Sequence, residues 1–291
     1  MACIPLNLME KRLIMNYKKQ IELNIESCPK LPTLCRSLFD QLQDPDIDFT
    51  HLERQLQYDP GITSNILRLA NSAYFGATGT VNSLPTAMMR LGLKRTWELV
   101  MASFASQILL KSLNGYELHS RDLLKHSVWV AIASEELARM LGFKDLKLLF
   151  TAGLLHDMGK IILDPFVSRE QSALLQLEHL SFEQREESLL GMDHAQAGQK
   201  LMEKWNIPQE ITSAVRWHHQ PDSAESFTNI ARMVHIADIM AYSEGIGAGI
   251  DGLKYGFSPQ IKTDLGLKCV DVEYVASKTL DKMNELESLL T

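Results

Sequence analysis

The feature that most restricts how this 291-residue chain can fold is a dispersed set of imidazoles and carboxylates: Asp122, His126, His156, Asp157, His194, His218, His219 and Asp238. Five of the nine histidines belong to it. Each cluster adjoins an apolar stretch with three- and four-residue spacing, so distant helices, and no single loop, must converge if these groups share a site. Neutral imidazole and ionised carboxylate together suit Fe, Mn, Zn, Ni or Co. The adjacent pairs His156-Asp157 and His218-His219 exceed what one tetrahedral ion needs. The sequence therefore predicts a polynuclear site for two or three divalent transition-metal ions. Fe or Mn is expected over Zn, because mixed imidazole and carboxylate shells with many ligands fit octahedral ions.

The same spacing runs through nearly the whole chain and predicts an all-α fold, with no hairpin dipeptide between alternating strands. Thr50 with Glu53, and Ser181 with Gln184, read as capping boxes. Pro60, Pro85, Pro208 and Pro259 sit where helices can start, and Gly76, Gly142 and Gly191 where they can stop. Residues 31–113 carry no candidate ligand and read as a supporting layer. Residues 114–120 form a polar break, and residues 121–242 hold the chemistry. Gly245, Gly247, Gly249, Gly252 and Gly256 then mark a loop before a last helix from about Asp271. No strand precedes that loop and no phosphate-binding fingerprint is met, so it reads as a plain connection.

A hydrophobic content of 45% is ample for a buried core, and a net charge of −7 argues against general nucleic-acid binding. Cys3, Cys28, Cys35 and Cys269 show neither C-x-x-C spacing nor a dense framework, which predicts reduced thiols in a cytosolic protein. Glu10, Lys11 and Arg12 interrupt the apolar start before it reaches the length of a secretory signal, and no run is long enough for a membrane span. A soluble, cytoplasmic protein is expected.

Each ligand candidate has its own local logic. Asp122 and His126, four residues apart, share one helix face. His156 and Asp157 close an apolar helix where Gly159 allows an abrupt turn, and buried charge there demands a partner. His194 follows Asp193, a residue suited to cap the next helix. Helical neighbours diverge by about 100°, so His218 and His219 can face one site only where their helix ends. Asp238 lies in an otherwise apolar helix in which a lone carboxylate needs a cation or donors. His235, one turn earlier, reads as a supporting or surface residue.

In this order, His126, His156-Asp157 with Lys160, His194, His218-His219 and Asp238 resemble the HD superfamily of metal-dependent phosphohydrolases. The Asp157-Met158-Gly159-Lys160 form and the paired histidines look most like the HD-GYP branch, whose trinuclear members place an acidic ligand where Asp122 stands. The segment Gln220-Pro221-Asp222-Ser223 lacks that branch's Gly-Tyr-Pro signature. The first half is more specific. Leu31-Pro32-Thr33-Leu34, Asp59-Pro60-Gly61-Ile62, the run from Leu69 to Gly76, and Leu84-Pro85-Thr86-Ala87 to Leu91-Gly92 are similar to the HDOD domain.

That resemblance implies an N-terminal helix over residues 1–24 and an HDOD domain over 25–225, divided into a supporting part (25–113) and an HD-like metal-binding part (121–225). Helices over 226–291, with the Gly-rich loop 245–256, would complete the site. It also implies a bacterial signal-transduction protein that keeps its ligands, with a phosphohydrolase or phosphodiesterase activity in which Asp157 bridges two ions and Lys160 offsets phosphoryl charge. A nucleotide or cyclic dinucleotide is the expected substrate class, and signalling proteins the expected partners. A non-catalytic interaction module stapled by metal, or a di-iron oxygenase, are the alternatives.

Overall fold

The computed structural model describes residues 8–31, 36, 39, 49–71, 80–251 and 259–290. Its helices are α1 (Leu8–Ser27), α2 (Phe49–Leu56), α3 (Pro60–Ala70), α4 (Leu84–Leu109), α5 (Asp122–Met140), α6 (Leu146–Leu155) and α7 (Met158–Gln176). They continue as α8 (Phe182–Leu190), α9 (His194–Lys204), α10 (Gln209–Trp217), α11 (Thr228–Ser243), α12 (Pro259–Asp264) and α13 (Cys269–Leu290). Among the described residues the only extended pairing is an isolated bridge between Leu113 and Leu118. The fold is all-α, as the periodicity requires.

Local chemistry sets most helix ends. Asp59 accepts from the Ile62 N–H at 3.0 Å with Pro60 in the first helical turn, so α3 starts with a capped amide and a residue that has none to cap. Gln184 reaches back to the Ser181 N–H at 3.2 Å to open α8, and Gly191 closes it at φ +75°. Gly142 follows α5 at φ +77°. Pro208 directly precedes α10 and Pro259 opens α12. Two readings shift: α2 begins at Phe49, so Thr50 falls inside its first turn instead of before it, and α13 begins at Cys269. Gly76, Gly252, Gly256, Cys3, Cys35 and most of Leu31-Pro32-Thr33-Leu34 lie outside the described residues.

Residues 114–120 are not the solvated break that their polarity suggests. Asn114–Tyr116 form a 3₁₀ turn in which the Gly115 N–H donates to Asp164 Oδ1 at 2.7 Å and Tyr116 is fully buried. Backbone amides satisfied by α7 let this polar stretch enter the core.

The supporting layer and the ligand-bearing half share one hydrophobic core. Trp97 of α4 donates its indole N–H to Thr151 of α6 at 3.1 Å, and the rings of Phe104 and Trp205 meet edge-on at 5.8 Å. Helix α1 packs across α7, α8 and α9. Lys204 of α9 donates to the carbonyls of Ile25 (2.7 Å) and Cys28 (2.9 Å), which caps the C-terminal end of α1 with a cation where the helix dipole is negative. No helix of the described residues is long and apolar enough to cross a membrane. Among the described residues, neither Cys28 nor Cys269 is in a disulfide.

Candidate metal centre

Five backbone segments deliver seven of the predicted ligands to one place. Helix α5 carries His126 just beyond its first turn, and α11 carries Asp238. Helix α6 ends at Leu155 and α7 begins at Met158, so His156 and Asp157 occupy the two-residue junction. His194 opens α9, capped by Asp193, whose carboxylate accepts from the Gln196 N–H at 2.6 Å. Helix α10 ends at Trp217, which places His218 and His219 on the following turn, where neighbours are no longer forced apart. The rings of His218 and His219 lie 3.9 Å apart.

Gly159 has a different part from the expected turn. It lies inside α7, and a Cβ there would stand 1.8 Å from the carbonyl oxygen of His194 and 2.7 Å from the Gly198 nitrogen. The absent side chain lets α7 approach α9, and this contact brings the His156-Asp157 junction beside His194.

Ring orientations are fixed from behind. The Nδ1 of His126 meets the Ile246 carbonyl (3.0 Å), that of His156 the Gly153 carbonyl (2.7 Å) and that of His218 the Val215 carbonyl (2.7 Å). A carbonyl only accepts, so each Nδ1 must carry a proton, and Nε2 is the ring nitrogen that remains to face a ligand. His194 Nδ1 is held at 2.6 Å by Glu186 Oε2, which also accepts from the His194 N–H at 2.9 Å. Glu186 is in turn hydrogen-bonded by the Tyr116 hydroxyl. His235 Nδ1 donates to the His218 carbonyl at 2.7 Å and so supports the turn without joining the cluster.

These Nε2 atoms converge on carboxylates. Asp157 Oδ2 lies 3.6 Å from His126 Nε2 and 3.4 Å from His156 Nε2, while Oδ1 of the same group lies 3.6 Å from His194 Nε2 and 3.8 Å from His218 Nε2. Asp238 Oδ1 is 2.9 Å from His126 Nε2 and 3.6 Å from His156 Nε2. Although the first separation is short, neither atom completes a hydrogen bond of normal angle; Nε2 of His156 and of His218 and Oδ1 of Asp157 are likewise buried without a hydrogen-bond partner. His194 Nε2 and His219 Nε2 stand 2.8 Å apart, which requires a proton or an ion between them. Each orphaned polar atom costs about 1–3 kcal/mol. A donor set of this kind fits transition-metal ions, which would satisfy these atoms together. His126, His156 and Asp157 form one convergent group, His194, His218 and His219 another, and His156, His218 and Asp238 a third that spans the two.

The two carboxylates and two of the imidazoles stand in the form that ligates, while His156 and His194 hold a proton that an ion would displace. Burial opposes ionisation of Asp157 and Asp238, but the surrounding imidazoles, with Lys160 beside Asp157, hold both carboxyls well below the usual range. Burial and neighbouring imidazoles push His218 and His219 well below ordinary histidine values, so they stand neutral. Burial also opposes charge on His156 and His194; the Asp157 and Asp238 carboxylates raise the first to about 10, and Glu186 raises the second to about 9.

Two predicted roles change. Asp122 is not brought to the cluster. It is the first residue of α5, its carboxylate accepts from the His119 N–H at 2.7 Å, and its side chain is 36% exposed. The four-residue spacing is real, but His126 finds its partner in the Ile246 carbonyl, and Gly247 packs where a Cβ would meet His126 Cβ at 2.5 Å. Lys160 is fully buried and turned inward, its Nζ 2.6 Å from Asp157 Oδ2 and 2.5 Å from Asp251 Oδ2. It holds a ligand and does not face outward to a phosphoryl group. Glu186, Tyr116, Tyr242 and Asp251 were not found from the sequence.

A model of the HDOD domain matches residues 28–221. An HDOD domain protein from Geobacter sulfurreducens superposes with a TM-score of 0.75 at 23% identity, covering 96% of this chain and 97% of that one. A candidate phosphohydrolase from Shewanella amazonensis SB2B superposes at 0.70 with 26% identity, covering 94% and 98%. Ribonuclease Y of Thermus thermophilus is 32% identical over 133 residues, 46% of this chain and 18% of that protein. The chain spans less than half the length of the curated relatives it matches.

Proposed function

We propose, taking as premise that this chain belongs to the HDOD domain family, that it is a signal-transduction protein with a two-metal centre that hydrolyses a phosphate ester. The observation that carries this reading is the division of one carboxylate: Asp157 turns one oxygen to His126 and His156 and the other to His194 and His218. Asp238 completes the first group and His219 the second. With Asp122 outside, two ions and not three are expected. Fe or Mn fits this mixed shell best, with Zn, Ni or Co within its chemistry.

Bound ions would supply a water of lowered pKa and positive charge for phosphoryl oxygens. The chain's own residues fix the geometry. Carbonyl partners hold three rings in the Nδ1–H form, Glu186 holds the fourth, and Lys160 holds the Asp157 carboxylate. Of the residues brought together, His219 is the one candidate ligand that is partly exposed, which makes its edge the side from which a substrate would enter. The name of ribonuclease Y, borne by a relative of part of this chain, supports phosphodiesters as a substrate class, with a nucleotide or cyclic dinucleotide as the form to test first.

Burial of every other ligand favours a second reading, in which the metal staples helices of a module that binds signalling proteins. The two are separated by loading the protein with Mn or Fe, measuring metal content, and assaying a panel of phosphodiesters, phosphomonoesters and cyclic dinucleotides. Turnover that Asp157→Asn abolishes supports hydrolysis. A fully loaded protein inert across the panel overturns it and leaves the staple.

A further inference from the structure

The loop that leaves α11 reaches the metal centre at several points. The Ile246 carbonyl orients His126, the Ile250 N–H donates to the Tyr116 carbonyl at 3.0 Å, and Asp251 meets Lys160. Tyr116 in turn supports Glu186 and through it His194. Composition marks this segment as a plain glycine loop, yet Asp251 is 3% exposed and its Oδ1 has no hydrogen-bond partner. Lys160 Nζ has Asp157 Oδ2, Asp251 Oδ2 and, at 3.2 Å, the Tyr242 hydroxyl around it. Those three partners match the three protons of an ammonium.

Resting on the two-ion reading above, we propose that Asp251 is a positioning residue of the metal centre, whose charge balances Lys160 so that Lys160 can orient Asp157 without opposing the ions. Without Asp251, the buried ammonium would cancel one of the two negative charges that Asp157 and Asp238 bring. It would also compete for Asp157 Oδ2, the oxygen aimed at His126 and His156. At 2.5 Å on its other side, Asp251 draws the ammonium back and restores the lost charge. Groups that hold metal ligands from behind alter affinity about 10- to 100-fold when changed.

The test uses the full chain titrated with Mn(II), reading stoichiometry, affinity and the exchange-coupled spin signal that a bridged pair of ions gives. Wild type should bind two ions and show coupling. Asp251→Asn should bind about 10- to 100-fold more weakly and lose coupling, whereas Asp251→Glu should restore both. The double variant Asp251→Asn with Lys160→Met should bind better than Asp251→Asn alone, because the uncompensated charge is gone. A merely structural role for Asp251 predicts no such recovery. Asp251→Asn binding as wild type does, or a double variant no better than the single, overturns the proposal; if Asp251→Asn does not fold, the glutamate and double variants decide it. Failure of wild type itself to take a second ion removes the two-ion reading first, a separate and visible result.

Discussion

Asp157→Asn should empty both halves of the cluster, because an amide cannot offer one anionic oxygen to each of two cations. Metal content is expected to fall below one ion per chain, and thermal stability with it. At free metal near 100 Kd, a lost site removes about 2.7 kcal/mol, which melts in matched metal would show. Glu186→Gln tests the second half alone. The amide keeps the shape but loses the charge-assisted bond to His194 Nδ1, and the ion at His194, His218 and His219 should bind about 10- to 100-fold more weakly while the other stays. Elemental analysis along a chelator titration would separate them; loss of both ions together would contradict this division. The ligands were legible from residue chemistry, since buried His and Asp in apolar helices need partners. Glu186 and Asp251 were not. The first sits in the charged run Arg185-Glu186-Glu187 and the second among glycines, where a carboxylate ordinarily faces water, and only the tertiary contacts show that both are buried.

Helix ends carry the centre, and their accuracy in sequence follows from how local their causes are. Caps and prolines act within one turn, so α3, α8, α10 and α12 begin within a residue of where their signals stand. Close approach between helices has no local cause. Gly159 looks like a turn residue beside a doublet, but its consequence lies across space at His194 and Gly198. Gly159→Ala should therefore be strongly destabilising. Its Cβ meets backbone on the facing helix, which cannot rotate away, so the effect should reach or exceed the upper end of the roughly 1–3 kcal/mol typical of overpacking. Gly198→Ala meets chiefly the Val215 side chain at 2.8 Å, which can shift, and should disturb the fold less. Urea unfolding of both variants checks the order; equal midpoints would show that the α7–α9 contact is softer than its geometry implies. Asp122 errs in the opposite sense, because a shared helix face is local while the partner chosen by His126 comes from residue 246.

Across the whole molecule, the supporting layer and the half that carries the candidate ligands meet through charge as well as through their shared core. Glu98 of α4 is buried between Arg95, whose Nη1 lies 2.6 Å from its Oε2, and Lys94, 3.5 Å from its Oε1. Glu135 of α5 lies beside Lys94, and Lys282 of α13 reaches Glu136 and, at 3.8 Å, Glu135. Burial raises the Glu98 carboxyl to about 7, with Arg95 and Lys94 opposing and Glu135 adding to the rise. Because the folded value lies above the ordinary carboxyl value of 4.5, the folded state binds the extra proton between the two. The contribution of Glu98 to stability is thus fullest below about pH 4.5 and is lost as pH rises toward 7. Nothing in the sequence marks Glu98, since Lys94 and Arg95, four and three residues earlier, are the partners that an exposed helical glutamate would also have. Glu98→Gln should remove the titration while keeping the hydrogen-bonding shape, so the difference in unfolding free energy between variant and wild type should move in the variant's favour from pH 5 to pH 8. Comparing the two proteins at each pH, both loaded with metal, cancels the pH dependence of ligation. A difference that stays constant over that range would mean Glu98 is already ionised at pH 5, held by Lys94 and Arg95 against its burial.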